Sequence, residues 1–508
     1  MKKQSKILMS LLALVLVMLM SIPTMAAPSY TLTLNNTGAT SHTFDVYQVF
    51  KGDLSIGAGG QKVLSNIVWG NGVTGAGQSA LGDATAKAES ITSELEAKAF
   101  ANVLVSNSYL TGAVTKTVAA GATDTITGLE PGYYLVKDRD SSQSGDGSAY
   151  TAYILEVVGN VTATTKLDVP SVEKKVKDIN DSDDNDISDN PWHDSADHDI
   201  GDIIPYQITG TLPTNYGDYS SYYYQFTDEM SNGLTYKGNA KVFVVNGSSE
   251  TEITSQAVIA PGTETQGATL TVTIADLKTI TGVTVDKDSK IVVRYTATLN
   301  SNAVIGSTGN PNTVFLTYSN NPNPGGTGTG TTPKDKTVVF TYQVVINKVD
   351  ENELPLPNAG FTLYKKDSSG TWQTVKVISA SSATSFTFTG IDDGDYKLVE
   401  TEVPDGYNKF KDIEFTVTAV HETVSSNPTL ISINSATSDN TVITLSGTQQ
   451  ANVILSSGTI STNVVNRSGS ILPTTGGIGT KIFYICGGVL IIGALITLIA
   501  KKNRRAEA

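Results

Sequence analysis

The chain has 508 residues and a formal net charge of −14, from 35 Lys and Arg against 49 Asp and Glu. This acidic balance argues against nucleic acid or an anionic lipid surface as partner. The single cysteine, Cys486, lies in an apolar stretch near the C-terminus, which leaves the body of the chain without disulfides or thiolate metal sites.

Hydrophobic residues at 39 %, 46 Gly, 21 Tyr and abundant Thr and Val predict a mainly β chain of tandem β-sandwich domains. The length suits three such domains. At the N-terminus, Lys2, Lys3 and Lys6 precede the apolar stretch from Ile7 to Met20, and Thr24, Met25 and Ala26 follow. That order predicts a signal peptide over 1–26, removed on export.

The first domain is expected over 27–167. Alternation predicts strands at Tyr30–Leu34 and Thr43–Phe50, and further strands near 114–118, 132–137 and 152–158. Between them Leu81, Ala84, Ala88, Ile91, Leu95, Ala99 and Val103 recur at helical spacing, which predicts one or two inserted helices. His42 reads as a surface or capping side chain.

The second domain is expected over 168–322. It opens with Val172-Glu-Lys-Lys-Val176 and continues into a run of aspartates between Asp181 and Asp202 that holds His193 and His198. Carboxylates suit calcium, but Asp181-Ser-Asp-Asp-Asn-Asp186 has no glycine at the sixth position of a calcium loop and no glutamate follows at the twelfth, so a solvated acidic loop is expected. Two histidines without a third nitrogen or a thiolate do not make a zinc site. No metal and no cofactor are expected. Strand-like runs then follow from Ile203 to Tyr318, and the Gly- and Pro-rich stretch 323–337 is expected to be a flexible linker.

The third domain is expected over 338–467. A lysine, Lys348, stands among Val345, Ile346 and Val349, and Tyr396-Lys-Leu-Val-Glu-Thr-Glu-Val-Pro-Asp-Gly-Tyr407 reads as a strand running into a turn. Beyond it lie Leu472, Pro473, Thr474, Thr475 and Gly476 in the segment 468–481, an apolar run over 482–500, and a basic tail over 501–508. About 19 apolar residues span a bilayer as a helix, and a basic flank stays in the cytosol.

Leu472-Pro-Thr-Thr-Gly476, membrane span and basic tail together resemble the cell-wall sorting signal of Gram-positive surface proteins, cut by a sortase between Thr475 and Gly476. The Tyr396–Tyr407 segment resembles the E-box of sortase-assembled pilins, in an immunoglobulin-like domain of the collagen-adhesin B type. This resemblance implies an intramolecular isopeptide bond between Lys348 and Asn466, promoted by Glu400. The second domain resembles the A-type relative of backbone pilins, which implies a bond between Lys174 and Asn312 with Asp228 as the acid. Lys175 and Asn320 stay open as alternatives, and strand alternation puts Lys174 on the face of Val172 and Val176. In the first domain Asp138 falls where Glu400 does, yet the first strand carries no lysine, so no such bond is expected there.

The resemblance further implies an acceptor lysine at the end of the first domain. Lys166 fits that place, with Lys175 and Lys177 as alternatives. The function so implied is that of a structural shaft subunit of a surface pilus, secreted and wall-anchored, with no enzyme activity. Its partners would be a sortase, identical subunits, tip and base pilins, and peptidoglycan. The alternative is a wall-anchored monomeric adhesin for a host matrix protein or glycan. A wall-bound hydrolase finds no catalytic motif around His42, His193, His198 or His421.

Overall fold

The structure, a computed structural model, describes residues 29–57, 59–165, 168–179, 191–323, 325–437, 452–469 and 478–504. The expected signal peptide, Lys166, most of the aspartate run and the Leu472–Gly476 motif lie outside the described residues.

The chain is mainly β, as the composition predicts. At its start, Tyr30–Asn35 pairs antiparallel with Thr123–Leu129 and parallel with Val161–Thr164. A second sheet orders Lys62–Trp69, His42–Ile56, Gly132–Asp138 and Ile154–Val158, with Val114–Val118 added to His42–Ile56. Leu32, Leu34, Phe44, Val46 and Val136 fill the space between the two sheets.

The insertion forms three helices, not one or two: Gly75–Leu81, Ala84–Glu89 and Glu94–Ser106. Thr74, Asp83 and Ser93 each accept a hydrogen bond from a first-turn N–H, so three separate caps divide what reads in sequence as one Ala-rich period. The buried stripe is also displaced. Phe100, Ala101 and Leu104 pack against Val49, Phe50 and Leu135, while Leu95 and Val103 face solvent.

The next stretch is a sandwich of two larger sheets. One runs Trp192–His193, Val172–Lys177, Ile203–Gly210, Lys290–Leu299, Leu234–Tyr236 and Thr265–Gln266, with Lys241–Asn246 and Ser249–Glu252 attached. The other runs Ser195–Asp197, Asp335–Phe340, Asn310–Ser319, Tyr224–Met230, Thr269–Ile274 and Val258–Ala260. Alternate residues of each strand point inward, and the core is rich in tyrosine, including Tyr206, Tyr222, Tyr224, Tyr236, Tyr295 and Tyr318.

The stretch 323–337 departs from the expected flexible linker. Thr329–Thr331 pairs with the end of Asn310–Ser319, and Asp335–Phe340 pairs with its beginning. The Gly- and Thr-rich piece also straps the first domain to the second: Gly147 N–H donates to the Thr331 carbonyl at 2.7 Å, and Tyr150 N–H to the Asn320 carbonyl at 2.7 Å. Composition misleads here because Gly and Thr serve an edge strand as well as a coil, whereas Lys336-Thr-Val-Val-Phe340 carries clear strand propensity.

Asp335–Phe340 serves two cores at once. Val339 points into the tyrosine-rich core, and Val338 and Phe340 point into the next one. After Thr341 the chain enters Tyr342–Val349, which lies between Ser385–Ile391 and Thr459–Val465 and runs parallel to the latter. A five-stranded sheet of Trp372–Ile378, Gly360–Lys366, Gly394–Glu402, Ile413–His421 and Leu430–Thr437 covers it. Gly390, at φ 78°, has no room for a side chain because Ile200 of the preceding domain lies against it. Last comes the helix Ile478–Arg504, whose apolar window Lys481–Lys502 is long enough to cross a membrane.

Phe340→Ala should therefore lower stability by about 3–5 kcal/mol, the usual cost of emptying a buried aromatic site. The denaturant transitions of both sandwiches should move together; a shift confined to the third would show that the strand does not couple them.

Candidate functional site: two buried lysines

Strand alternation places Lys174 inward on Val172–Lys177, and its side chain is wholly buried. Its Nζ donates to Asp228 Oδ1 at 2.7 Å and to the Tyr295 hydroxyl at 2.7 Å, and lies 5.0 Å from the centre of the Tyr206 ring. Tyr295 in turn donates to Asp228 Oδ2 through a short hydrogen bond. Asn312 Nδ2 donates to the Tyr295 hydroxyl at 2.8 Å, and Asn312 Oδ1 has no partner. Burial pushes the Lys174 pKa down against the pull of Asp228.

These groups come from both sheets. Lys174 sits on the opening strand of one, Asp228 and Asn312 on neighbouring strands of the other. Lys174, Asp228 and Asn312 thus meet, as the resemblance implies. Lys175 faces the other way, held by Asp194 at 2.6 Å and Glu173 at 3.3 Å. Asn320 lies elsewhere, beside Gln143 and Ser148 at the contact with the first domain.

In the third domain Lys348 is also fully buried, and its Nζ donates to the carbonyls of Val349 at 3.1 Å and Val464 at 3.0 Å. Asn466 follows the neighbouring parallel strand, with its N–H on the Val349 carbonyl at 3.0 Å. Its Nδ2 donates to Glu400 at 2.8 and 3.0 Å, leaving Oδ1 unpartnered. Glu400 therefore touches the amide nitrogen, not the carbonyl oxygen. Burial lowers the Lys348 pKa to about 8 and raises that of Glu400. A near-neutral amine, a carboxyl held toward its protonated form and a carboxamide form a set able to make an amide and release ammonia.

The first domain repeats this frame with other residues. Tyr30–Asn35 and Val161–Thr164 are parallel neighbours, and the Thr165 N–H bonds the Asn35 carbonyl at 3.0 Å as Asn466 does Val349. Leu34 and Thr165 thus occupy the lysine and asparagine positions. Asp138 is answered by His42 Nδ1 at 2.7 Å and by the Thr151 N–H at 2.6 Å. His42 is buried, not at the surface as its place before a strand suggested.

Residues 200–322 match the family model described as Gram-positive pilin backbone subunit 2, Cna-B-like domain, and 342–429 match that of a SpaA prealbumin-like fold domain. The trypsin-resistant surface T6 protein of Streptococcus pyogenes serotype M6 is 24 % identical over 425 residues, 72 % of this chain and 75 % of that protein. Over most of its length the chain is thus similar to this surface protein, and within it lies a stretch that matches a Gram-positive pilin backbone domain.

In fold, it superposes on the T6 backbone pilin of S. pyogenes with a TM-score of 0.55, at 17 % identity, covering 88 % of this chain and 99 % of that one. The major pilin SpaD of Corynebacterium diphtheriae gives a TM-score of 0.47 at 19 % identity, over 87 % of this chain and 98 % of its own. The second pilin domain is described as Cna-B-like, where the sequence resemblance pointed to the A type.

Tyr295 was missed from sequence. It alternates with Val293 and Ala297 on a strand that reads as core, and only the fold shows that its hydroxyl joins three partners.

In an Asn466→Ala variant Lys348 stays a free amine with a folded pKa of about 8 against 10.5 unfolded. The unfolded chain then binds more protons between those values, so stability is lowest below about pH 8 and rises toward pH 10.5 by about 3 kcal/mol. Denaturant midpoints at pH 7.5 and 9.5, taken relative to the parent chain, should show that rise; a flat difference would mean the amine is not desolvated.

Proposed function

We propose that this chain is the structural shaft subunit of a covalent surface pilus, with one isopeptide bond in each of its second and third domains. The observation that carries this reading is the pair of buried lysine, acid and asparagine sets, each joining the opening strand of a sandwich to its closing strand. The Lys348 amine attacks the Asn466 carboxamide carbon; the Nζ–C bond forms, the C–Nδ2 bond breaks, and Nδ2 leaves as ammonia after taking a proton. Glu400, against Nδ2, is placed to pass that proton. In the second domain Lys174 attacks Asn312, and Tyr295 relays between Asp228 and the leaving nitrogen.

Between subunits, a sortase transfers the Thr475 acyl group to a lysine of the next copy. The Thr475–Gly476 bond breaks, the new amide forms at Nζ, and Gly476 leaves as an amine. The C-terminal helix holds the precursor in the membrane until then. Lys166 is the acceptor in this reading. The environment of its alternatives supports it: Lys175 is bound by two carboxylates, and Lys177 is buried with its amine 5.2 Å from the centre of the Trp192 ring.

The intact mass of the purified chain should fall short of its sequence mass by two ammonias, with cross-linked peptides at Lys348–Asn466 and Lys174–Asn312. Glu400→Ala should restore one ammonia, and no deficit in the parent chain would sink the isopeptide reading. Wall extracts of cells carrying Lys166→Ala should lose the ladder of covalent multimers given by the parent; an unchanged ladder would assign the linkage to another lysine.

A further inference from the structure

When the Lys174 amine attacks the Asn312 carboxamide carbon, the carbonyl electron pair moves onto Oδ1, and that oxygen carries negative charge until ammonia leaves. An oxyanion formed in a dry core needs a hydrogen-bond donor already in place. Asp228 has none to give: its Oδ1 accepts from Lys174 Nζ at 2.7 Å and its Oδ2 from the Tyr295 hydroxyl. Tyr295 is committed as well. Its one proton goes to Asp228, so its oxygen accepts from Lys174 Nζ at 2.7 Å and from Asn312 Nδ2 at 2.8 Å. These bonds fix the carboxamide, with its nitrogen on Tyr295 and its oxygen turned elsewhere.

Two further hydroxyls reach this part of the core. Tyr206 stands directly opposite Tyr295 on the neighbouring strand, with the two rings stacked 5.3 Å apart. Its hydroxyl is buried without a hydrogen-bond partner, as is Asn312 Oδ1. The two groups are neighbours: burial and then the Asp228 charge push the Tyr206 pKa well up, while the adjacent Asn312 carboxamide pulls the other way. A hydroxyl so placed keeps its proton and stays a donor. Thr337 is the cross-strand partner of Asn312, and such partners share a face with their Cβ atoms about 4.5–5.5 Å apart. That face is the tyrosine-rich core, because Val314 and Val339, two residues on in each strand, both lie in it. The Thr337 hydroxyl is again buried without a partner. A native interior seldom leaves three such oxygens bare around one carboxamide.

We propose that the Tyr206 hydroxyl, assisted by that of Thr337, is the oxyanion donor of the second domain and binds Asn312 Oδ1 while the amide to Lys174 forms. This role presupposes that Lys174 and Asn312 are a bond-forming pair. Lys174 Nζ first gives a proton to Asp228 and becomes the attacking amine. The Nζ–C bond forms, and the charge gathers on Oδ1 against the Tyr206 hydroxyl. A second proton passes from Nζ through the Tyr295 hydroxyl to Nδ2. The carbonyl re-forms, the C–Nδ2 bond breaks and ammonia leaves, with Asp228 left protonated. Tyr206 also faces the nucleophile, since Lys174 Nζ lies 5.0 Å from its ring centre. One side chain thus holds the amine over its ring and the carbonyl oxygen at its tip, which is the positioning that speeds an intramolecular attack.

Cell-free synthesis of the full chain in detergent, sampled over time for intact mass and cross-linked peptides, tests this. Tyr206→Phe keeps the ring and its stacking but removes the donor. Its Lys174–Asn312 bond should form about 100-fold more slowly than in the parent, the usual cost of losing one oxyanion donor, and still go to completion on standing. The Lys348–Asn466 bond of the same molecules should form at the parent rate. Thr337→Val should slow the first bond as well, and Thr337→Ser, which keeps a hydroxyl, should not. Parent rate in Tyr206→Phe would overturn the proposal, as would parent rate in Thr337→Val where Tyr206→Phe loses the near-ultraviolet signal of its folded tyrosine core. A parent chain in which Lys174 and Asn312 never join would remove the bond itself, a result distinct from a bond that forms without help from Tyr206.

Discussion

A lysine amine taken wholly out of water governs this molecule. Burial without a partner would be costly, so each interior lysine needs an acceptor and a carboxyl close by, and those partners must come from strands that only the finished sandwich brings together. The sites at Lys174 and Lys348 solve the same problem differently. One uses an ion pair extended by a tyrosine hydroxyl; the other rests the amine on two backbone carbonyls and keeps the carboxyl on the asparagine. The first domain keeps the strand frame and fills it with Leu34, Thr165 and a His42–Asp138 pair.

The domains are also joined more tightly than a string of sandwiches requires. A strand whose alternate side chains enter two cores cannot leave one without disturbing the other. Around it, Gly306 and Gly458 meet backbone to backbone, and the Ser307 N–H bonds the Leu455 carbonyl at 3.1 Å. On the opposite side of the second sandwich, Asn320 and Asn323 hold the first domain through backbone and amide hydrogen bonds.

Much of this was legible in the sequence, and what escaped follows a pattern. Lys348, Glu400 and Asn466 stand in local motifs, and period-two alternation separates Lys174 from Lys175, because facing is a property of one strand. Tyr295 escaped because a functional tyrosine and a packing tyrosine alternate alike. The helical insertion was legible in kind but not in number, since the caps at Thr74, Asp83 and Ser93 are short polar signals inside a continuous Ala-rich period. The contact between Ser195 of the second domain and His421 of the third escaped for a different reason. Ser195 and His421 are 226 residues apart, and no local pattern links them.

The parallel pairing of Tyr342–Val349 with Thr459–Val465 has a consequence for tension. Pulled from their opposite ends, parallel neighbours load their hydrogen bonds together in shear and do not unzip one at a time. With the proposed Lys348–Asn466 amide in place, the load passes along the opening strand, crosses at the far end and leaves toward the anchor. The hundred or so residues enclosed by the cross-link, including the exposed edge strand Trp372–Ile378, are then out of the mechanical circuit. Away from Glu400 and the buried core, sequence can drift there without weakening the fibre, which makes that enclosed surface the part of the shaft free to change.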